Sequence, residues 1–285
     1  MTLSLQSHKA RLAGLRLPRA RIMLPLSVIA LLALAALFAA WLTPDPKALD
    51  PMARLLPPSL DHWMGTDQFG RSVFARVIHG GQTSLVVGIA VMIATTLAGV
   101  FLGLVSGFSP QVDKVLMRLM DAVMAIPAIL LAIAMLALFG AGTVNVILAI
   151  TIPEIPRMAR VVRGAVLTIR EQPYIEAAIT NGARLPRLLV AHVLPGTVPA
   201  ILVQASYVLA AAVLMESILS FLGAGAPPEV PSWGNIISEG RLLFTVAPWV
   251  VMAPGACIAL LVLSVNLLGD ALRDAMDPRM RRRLA

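Results

Sequence analysis

The stretch SLVVGIAVMIATTLAGVFLGLVSG, residues 84–107, carries no Asp, Glu, Lys or Arg. A helix needs about 20 apolar residues to cross the hydrocarbon core of a bilayer, and this run supplies them. A strand would leave an open edge in lipid, so a helix is the conformation that survives there. Gly99, Gly103 and Gly107 recur every four residues. That spacing puts three small residues on one helix face, where a second backbone can approach closely.

The rest of the chain repeats the theme. Mean hydropathy is +0.85 and only 13% of residues are charged, against about 25% in soluble domains. Further apolar runs lie near 22–42, 119–140, 143–163, 197–219 and 247–269. The expected fold is an all-α integral membrane protein with six transmembrane helices. Pro127 interrupts the third run, and Pro153, Glu154 and Pro156 the fourth; neighbouring helices must satisfy the carbonyls these prolines free. The first run is longer than the apolar core of a cleaved signal peptide, so it reads as an uncleaved anchor.

The net charge of +8 comes from 23 Lys+Arg against 15 Asp+Glu. Its distribution gives an orientation rather than a nucleic-acid site. The tail 1–21 holds Lys9, Arg11, Arg16, Arg19 and Arg21 without an acid. Arg157, Arg160, Arg163, Arg170, Arg184 and Arg187 cluster around the fourth-to-fifth connection, and the tail 271–285 ends in RMRRRLA. The loop 43–83 balances Lys47, Arg54, Arg71 and Arg76 against Asp45, Asp50, Asp61 and Asp67. Basic segments stay on the cytoplasmic side, so both termini and the connection at about 170–196 are expected there, with core helices over 84–270.

That connection reads EAAITNGARLPRLLVAHVLP over 176–195. Pro173 suits a first helical turn, Glu176 the positive end of the helix dipole, and Gly182 the left-handed residue that ends a helix. Pro186 opens a second helix, and Pro195 is expected to limit its length. The result is helix, glycine turn, helix, too short to span. Ile175, Ala178 and Ile179 share a face, which needs a surface to pack on.

Chemistry is sparse. No G-x-x-x-x-G-K-[ST] phosphate loop occurs, so the chain is not expected to hydrolyse ATP. The four histidines are scattered and Cys257 is alone, which suits neither a metal site nor a disulfide. Glu154 and Glu216 lie in apolar runs, where an unpaired charge is costly. Glu154 reads as a partner of Arg157. Glu216 reads as a pathway acid or as a structural acid near a span end, paired with arginine or wet. Asp121 and Arg118 read as a local pair. Trp233, in the proline-rich stretch APPEVPSWGN at 226–235, is a candidate anchor for a partner outside.

The 176–195 segment resembles the EAA loop of permease subunits of bacterial ABC importers. Glu176-Ala177-Ala178 leads to Gly182, nine residues intervene, and His192-Val193-Leu194-Pro195 closes the pattern, with His192 where an aliphatic residue is usual. HWMGTDQFGRSVFARVIHGGQTSL at 62–85, ESILSFLGAGAPPEVPSWGNIISEGR at 216–241 and NLLGDALRDAMDPRMR at 266–281 are similar to the second, C-type permease of the dipeptide/oligopeptide/nickel branch. Ser72 stands where that branch has an aspartate. The resemblance implies a type I ABC importer permease fold in the bacterial plasma membrane. It implies a second permease subunit, two ATPase subunits that use ATP and Mg, and an extracytoplasmic substrate-binding protein. Glu176, Ala177, Ala178, Gly182, Leu194 and Pro195 would form the ATPase-coupling contact. A secondary transporter or channel, the alternative class, should show an internal repeat, and none is found.

Overall fold

The computed structural model describes residues 17–225, 227 and 230–276, with side chains from residue 22 onward. The basic tail before residue 17, the tail after 276 and part of the 226–235 stretch lie outside the described residues. The elements in chain order are α1 (Leu17–Leu37), α2 (Ala39–Leu42), α3 (Val73–Phe108), α4 (Pro110–Met124), α5 (Ala128–Phe139), α6 (Thr143–Ile169), α7 (Pro173–Thr180), α8 (Leu185–Leu188), α9 (Leu194–Phe221), α10 (Trp233–Gly240) and α11 (Trp249–Met276). Among the described residues there is no β-strand beyond one isolated bridge, Thr66 to Ser72.

Three helical stretches are long and apolar enough to cross a membrane: α3, the run Leu185–Phe221 and α11. Length and apolarity alone therefore do not give six. The third expected span, 119–140, is not one straight helix. α4 and α5 meet at 85° across residues 125–127, because Pro127 cannot continue a helical hydrogen-bond ladder. α6 is long enough but carries Glu154, Arg157, Arg160 and Arg163.

The glycine face of α3 packs as its spacing predicts. A Cβ on Gly99 would lie 2.5 Å from Met158, one on Gly103 2.7 Å from the Ala159 carbonyl and Val162, and one on Gly107 2.6 Å from Val166. Partner numbers rise together along the two helices, so α3 and α6 run parallel. The chain must return between them, and the bent α4–α5 pair makes that return. At its end the Asn145 amide donates to the carbonyls of Phe139 (2.9 Å) and Gly140 (3.0 Å) at the start of α6.

α9 runs opposite to α3: Glu216 meets Ser84, while Leu209 and Val213 meet Gly88. α11 starts beside the α3 entry, where the Trp249 indole donates to the Thr66 carbonyl at 3.1 Å. It passes Ser206 at Gly269. Ala36, near the end of α1, approaches Gly81. One end of the bundle thus gathers the loop 43–72, α10 and the starts of α3 and α11. The opposite end gathers the start of α1, residues 170–196 and the end of α11. Ser72 caps α3, accepting from the Ala75 amide at 3.3 Å; an aspartate does the same work there.

Candidate functional sites at the two ends of the bundle

At the 170–196 end, Pro173 sits in the first turn of α7 and Glu176 near its positive pole. The helix closes with the Gly182 amide donating to Ile179 (2.9 Å) and the Ala183 amide to Ala178 (3.0 Å). Gly182 has φ +78° and nothing within 4 Å of a would-be Cβ. Glycine is needed there for its backbone freedom alone.

The loop is anchored from within. Ile175, Leu188 and Val193 are buried in the same cluster as Met158, Val162 and Val166 of α6. The Arg170 guanidinium donates to the Gly107 carbonyl at 3.2 Å. The expected shared face holds for Ile175 and Ala178, whereas Ile179 turns outward at 52% exposure. Outward too are Tyr174, Glu176, Ala177, Gly182, Leu185 and Pro195, with Leu194 half-buried. Ala178, Gly182, Arg184, Arg187 and His192 help line an open hollow of ≈ 570 Å³. The loop is thus anchored on the bundle side and carries an exposed apolar and basic outer face.

Pro195 does not limit the second helix. α8 continues through one wide π turn, Leu189–Val193, directly into α9, with Pro195 in the first turn of α9. The wide turn absorbs the residue that cannot donate. The second loop helix is therefore continuous with a bundle helix.

At the other end, Glu216 is fully buried. Ser84 donates to its Oε2 at 2.9 Å and Ser220 to its Oε1 at 2.7 Å. Neither arginine nor water-exposure accounts for it, as the sequence had suggested. Hydroxyls satisfy this acid, and they tie α3, α9 and the start of α10 together. Trp233 is also corrected. It is 2% exposed, its indole donates to the Val77 carbonyl at 2.9 Å and its amide to Ser84 at 3.3 Å. It pins α10 to α3, with its side chain inside the fold rather than standing out as an exposed anchor.

An ion network at this end escaped sequence reading. Arg76 donates to Asp67 Oδ2 (2.9 Å) and to Glu239 Oε1 (2.8 Å), and Arg71 to Asp67 (2.6 Å) and to Glu239. Asp67 and Arg76 are buried. The neutral charge balance of the 43–83 loop was the available signal; the partner Glu239, far along the chain, was not readable.

In α6, Arg157 pairs with Glu154 at 2.9 Å, as spacing suggests. Asp121 pairs with Arg160 rather than Arg118, and Asp113 with Arg163. These links fasten α4 along the second half of α6, a contact its sequence neighbour Arg118 could not make. Among the described residues no group of three His, Cys, Asp or Glu could hold a metal.

Comparison with known proteins adds relatives along most of the chain. The family model for the inner membrane component of binding-protein-dependent transport systems matches residues 95–282. A probable peptide ABC transporter permease protein of Sinorhizobium fredii is 48% identical over 250 residues, 88% of this chain and 86% of the relative. A dipeptide transport system permease protein of Alkalihalophilus pseudofirmus is 40% identical over 258 residues, 90% and 85%. A glutathione transport system permease protein of Salmonella paratyphi A is 42% identical over 257 residues, 89% and 84%. Among solved structures, the inward facing MetNI methionine ABC transporter matches with a TM-score of 0.59 at 19% identity, covering 74% of this chain and 96% of that one. That likeness is one of fold.

Proposed function

The chain belongs to the family of inner membrane components of binding-protein-dependent transport systems, and from that premise we propose that it forms half of the translocation pathway of an ATP-dependent importer of peptides or similar small solutes. Its relatives named for peptides, dipeptides and glutathione support that substrate class. The other half would be a second permease subunit. Two ATPase subunits supply ATP and Mg chemistry, since this chain has no phosphate loop, and an extracytoplasmic binding protein delivers the solute. The chain itself would switch between outward- and inward-open states that nucleotide binding at the partners biases. In this reading α1, α3, the α4–α5 pair, α6, α9 and α11 cross the plasma membrane, six crossings in all, with both termini and residues 170–196 cytoplasmic.

The observation that carries the reading is the construction of the 170–196 loop. Ile175 and Val193 are buried against the bundle, while Glu176, Ala177 and Gly182 face outward. A push on the outer face is passed through the continuous α8–α9 helix to the membrane helices. Glu176→Arg reverses a charge on the outer face. Gly182→Pro removes the amide that closes α7 and forbids the positive φ. Either variant should still insert in the membrane but lose co-purifying ATPase and transport. Assembly and uptake equal to wild type in both would sink the coupling role.

A further inference from the structure

Glu154 and Arg157 lie near the middle of the 27-residue α6, about 17 and 21 Å from its start at 1.5 Å per residue. The Arg157 side chain is 53% exposed while that of Glu154 is 5% exposed. In the importer reading α6 crosses the membrane, and a half-exposed guanidinium this far along it is disfavoured against lipid, where an arginine costs about 2.5–3.5 kcal/mol even on the mildest scale. It must face water or protein. One turn further along the same face, Val161 lines a hollow of ≈ 460 Å³ together with Gln204, Tyr207 and Arg273, between α6, α9 and α11. That hollow lies on the side of Arg157 toward the 170–196 end.

The electrostatics select a sign. One oxygen of the Glu154 carboxylate accepts from Arg157 and the side chain is only 5% exposed, so burial keeps it away from a solute amine. Arg157 uses one guanidinium nitrogen on Glu154; among the described residues its other donors have no partner, and just over half of its side chain is uncovered by this chain. A guanidinium fork matches a carboxylate best. We propose that Arg157, held in place by Glu154, is a way-station in the translocation pathway for the carboxylate of the transported solute. This rests on the importer reading, and it adds a site and a ligand group to it.

The test has two arms. In a Cys257→Ser background, which removes the single native cysteine, Arg157→Cys is treated in open membrane fragments with a charged, membrane-impermeant thiol reagent. Modification much faster than that of Leu34→Cys, on the flank of α1, is the expected result. A cysteine at 157 as unreactive as one at 34 would place the residue against lipid or the second permease subunit and overturn the proposal. In the second arm, assembled transporter in vesicles is offered a dipeptide and its C-terminal amide. With the same binding protein in every assay its preference cancels. The uptake ratio of acid to amide should fall about tenfold in Arg157→Gln, the loss of one charge-assisted hydrogen bond, and recover partly in Arg157→Lys. An unchanged ratio refutes the carboxylate role. A wild-type chain that imports no peptide refutes the importer reading instead, and the labelling arm is read independently of it.

Discussion

Glu216 shows how this bundle holds a fully buried acid. Its two oxygens take hydroxyl donors from two different helices, and one of those hydroxyls, that of Ser84, also accepts the Trp233 amide at the start of α10. Replacing it with leucine removes the acceptors and leaves the hydroxyl donors of Ser84 and Ser220 buried without them, at about 1–3 kcal/mol for such an orphaned group. Glutamine keeps the shape and one acceptor oxygen. Glu216→Leu should therefore lower the thermal midpoint of the detergent-solubilised protein clearly, and Glu216→Gln only slightly, read by size-exclusion after heating. Equal midpoints for the two would mean that the hydroxyl cage does not stabilise the fold. None of this was readable from the residue alone. An isolated Glu in an apolar run announces that it needs partners, but Ser84 lies 132 positions away, and serine is silent in a sequence.

At the scale of elements, the α3–α6 contact was the most legible part of the fold. Glycines four apart define a face whatever they touch, and the face is where the sequence put it. Gly103 is the tightest test, because its would-be Cβ lies 2.7 Å from the Ala159 backbone oxygen, which a side-chain rotation cannot relieve. Gly103→Ala should destabilise by about 1–3 kcal/mol through overpacking. Gly164, on α6 with nothing within 4 Å, is the control. There alanine should be neutral or stabilising by up to about 1 kcal/mol, since glycine is the poorer helix former. If both substitutions shift the thermal midpoint alike, close approach is not what holds the two helices. The less legible elements share one cause. Pro127 and Pro195 are identical in kind, yet one marks an 85° bend and the other a nearly continuous helix. What precedes them differs: a break at 125–127 in the first case, a π turn in the second; each proline interrupts the hydrogen-bond ladder, and the residue alone does not say which backbone absorbs the interruption.

For the whole molecule, arginine placement and helix direction lead to the same arrangement from independent observations. The parallel run of α3 and α6 requires one return between them, and the antiparallel run of α9 requires none beyond the 170–196 loop. Together with α1 and α11 this puts the start of α1, the 170–196 loop and the end of α11 at one end, the end where Arg170, Arg184 and Arg187 lie. Geometry says which segments share an end, and only charge says which end faces the cytoplasm. The two become one claim that cells can answer. In the Cys257→Ser background, Leu60→Cys, at a position 94% exposed beside the α3 entry, should be labelled by an impermeant thiol reagent added to intact cells. Asn181→Cys, on the turn after α7, should be labelled only once the cells are opened. Labelling of residue 181 from outside would invert the chain and detach the loop from any cytoplasmic ATPase. Labelling of both positions from outside would break the odd number of crossings between them, and with it the single return made by α4 and α5.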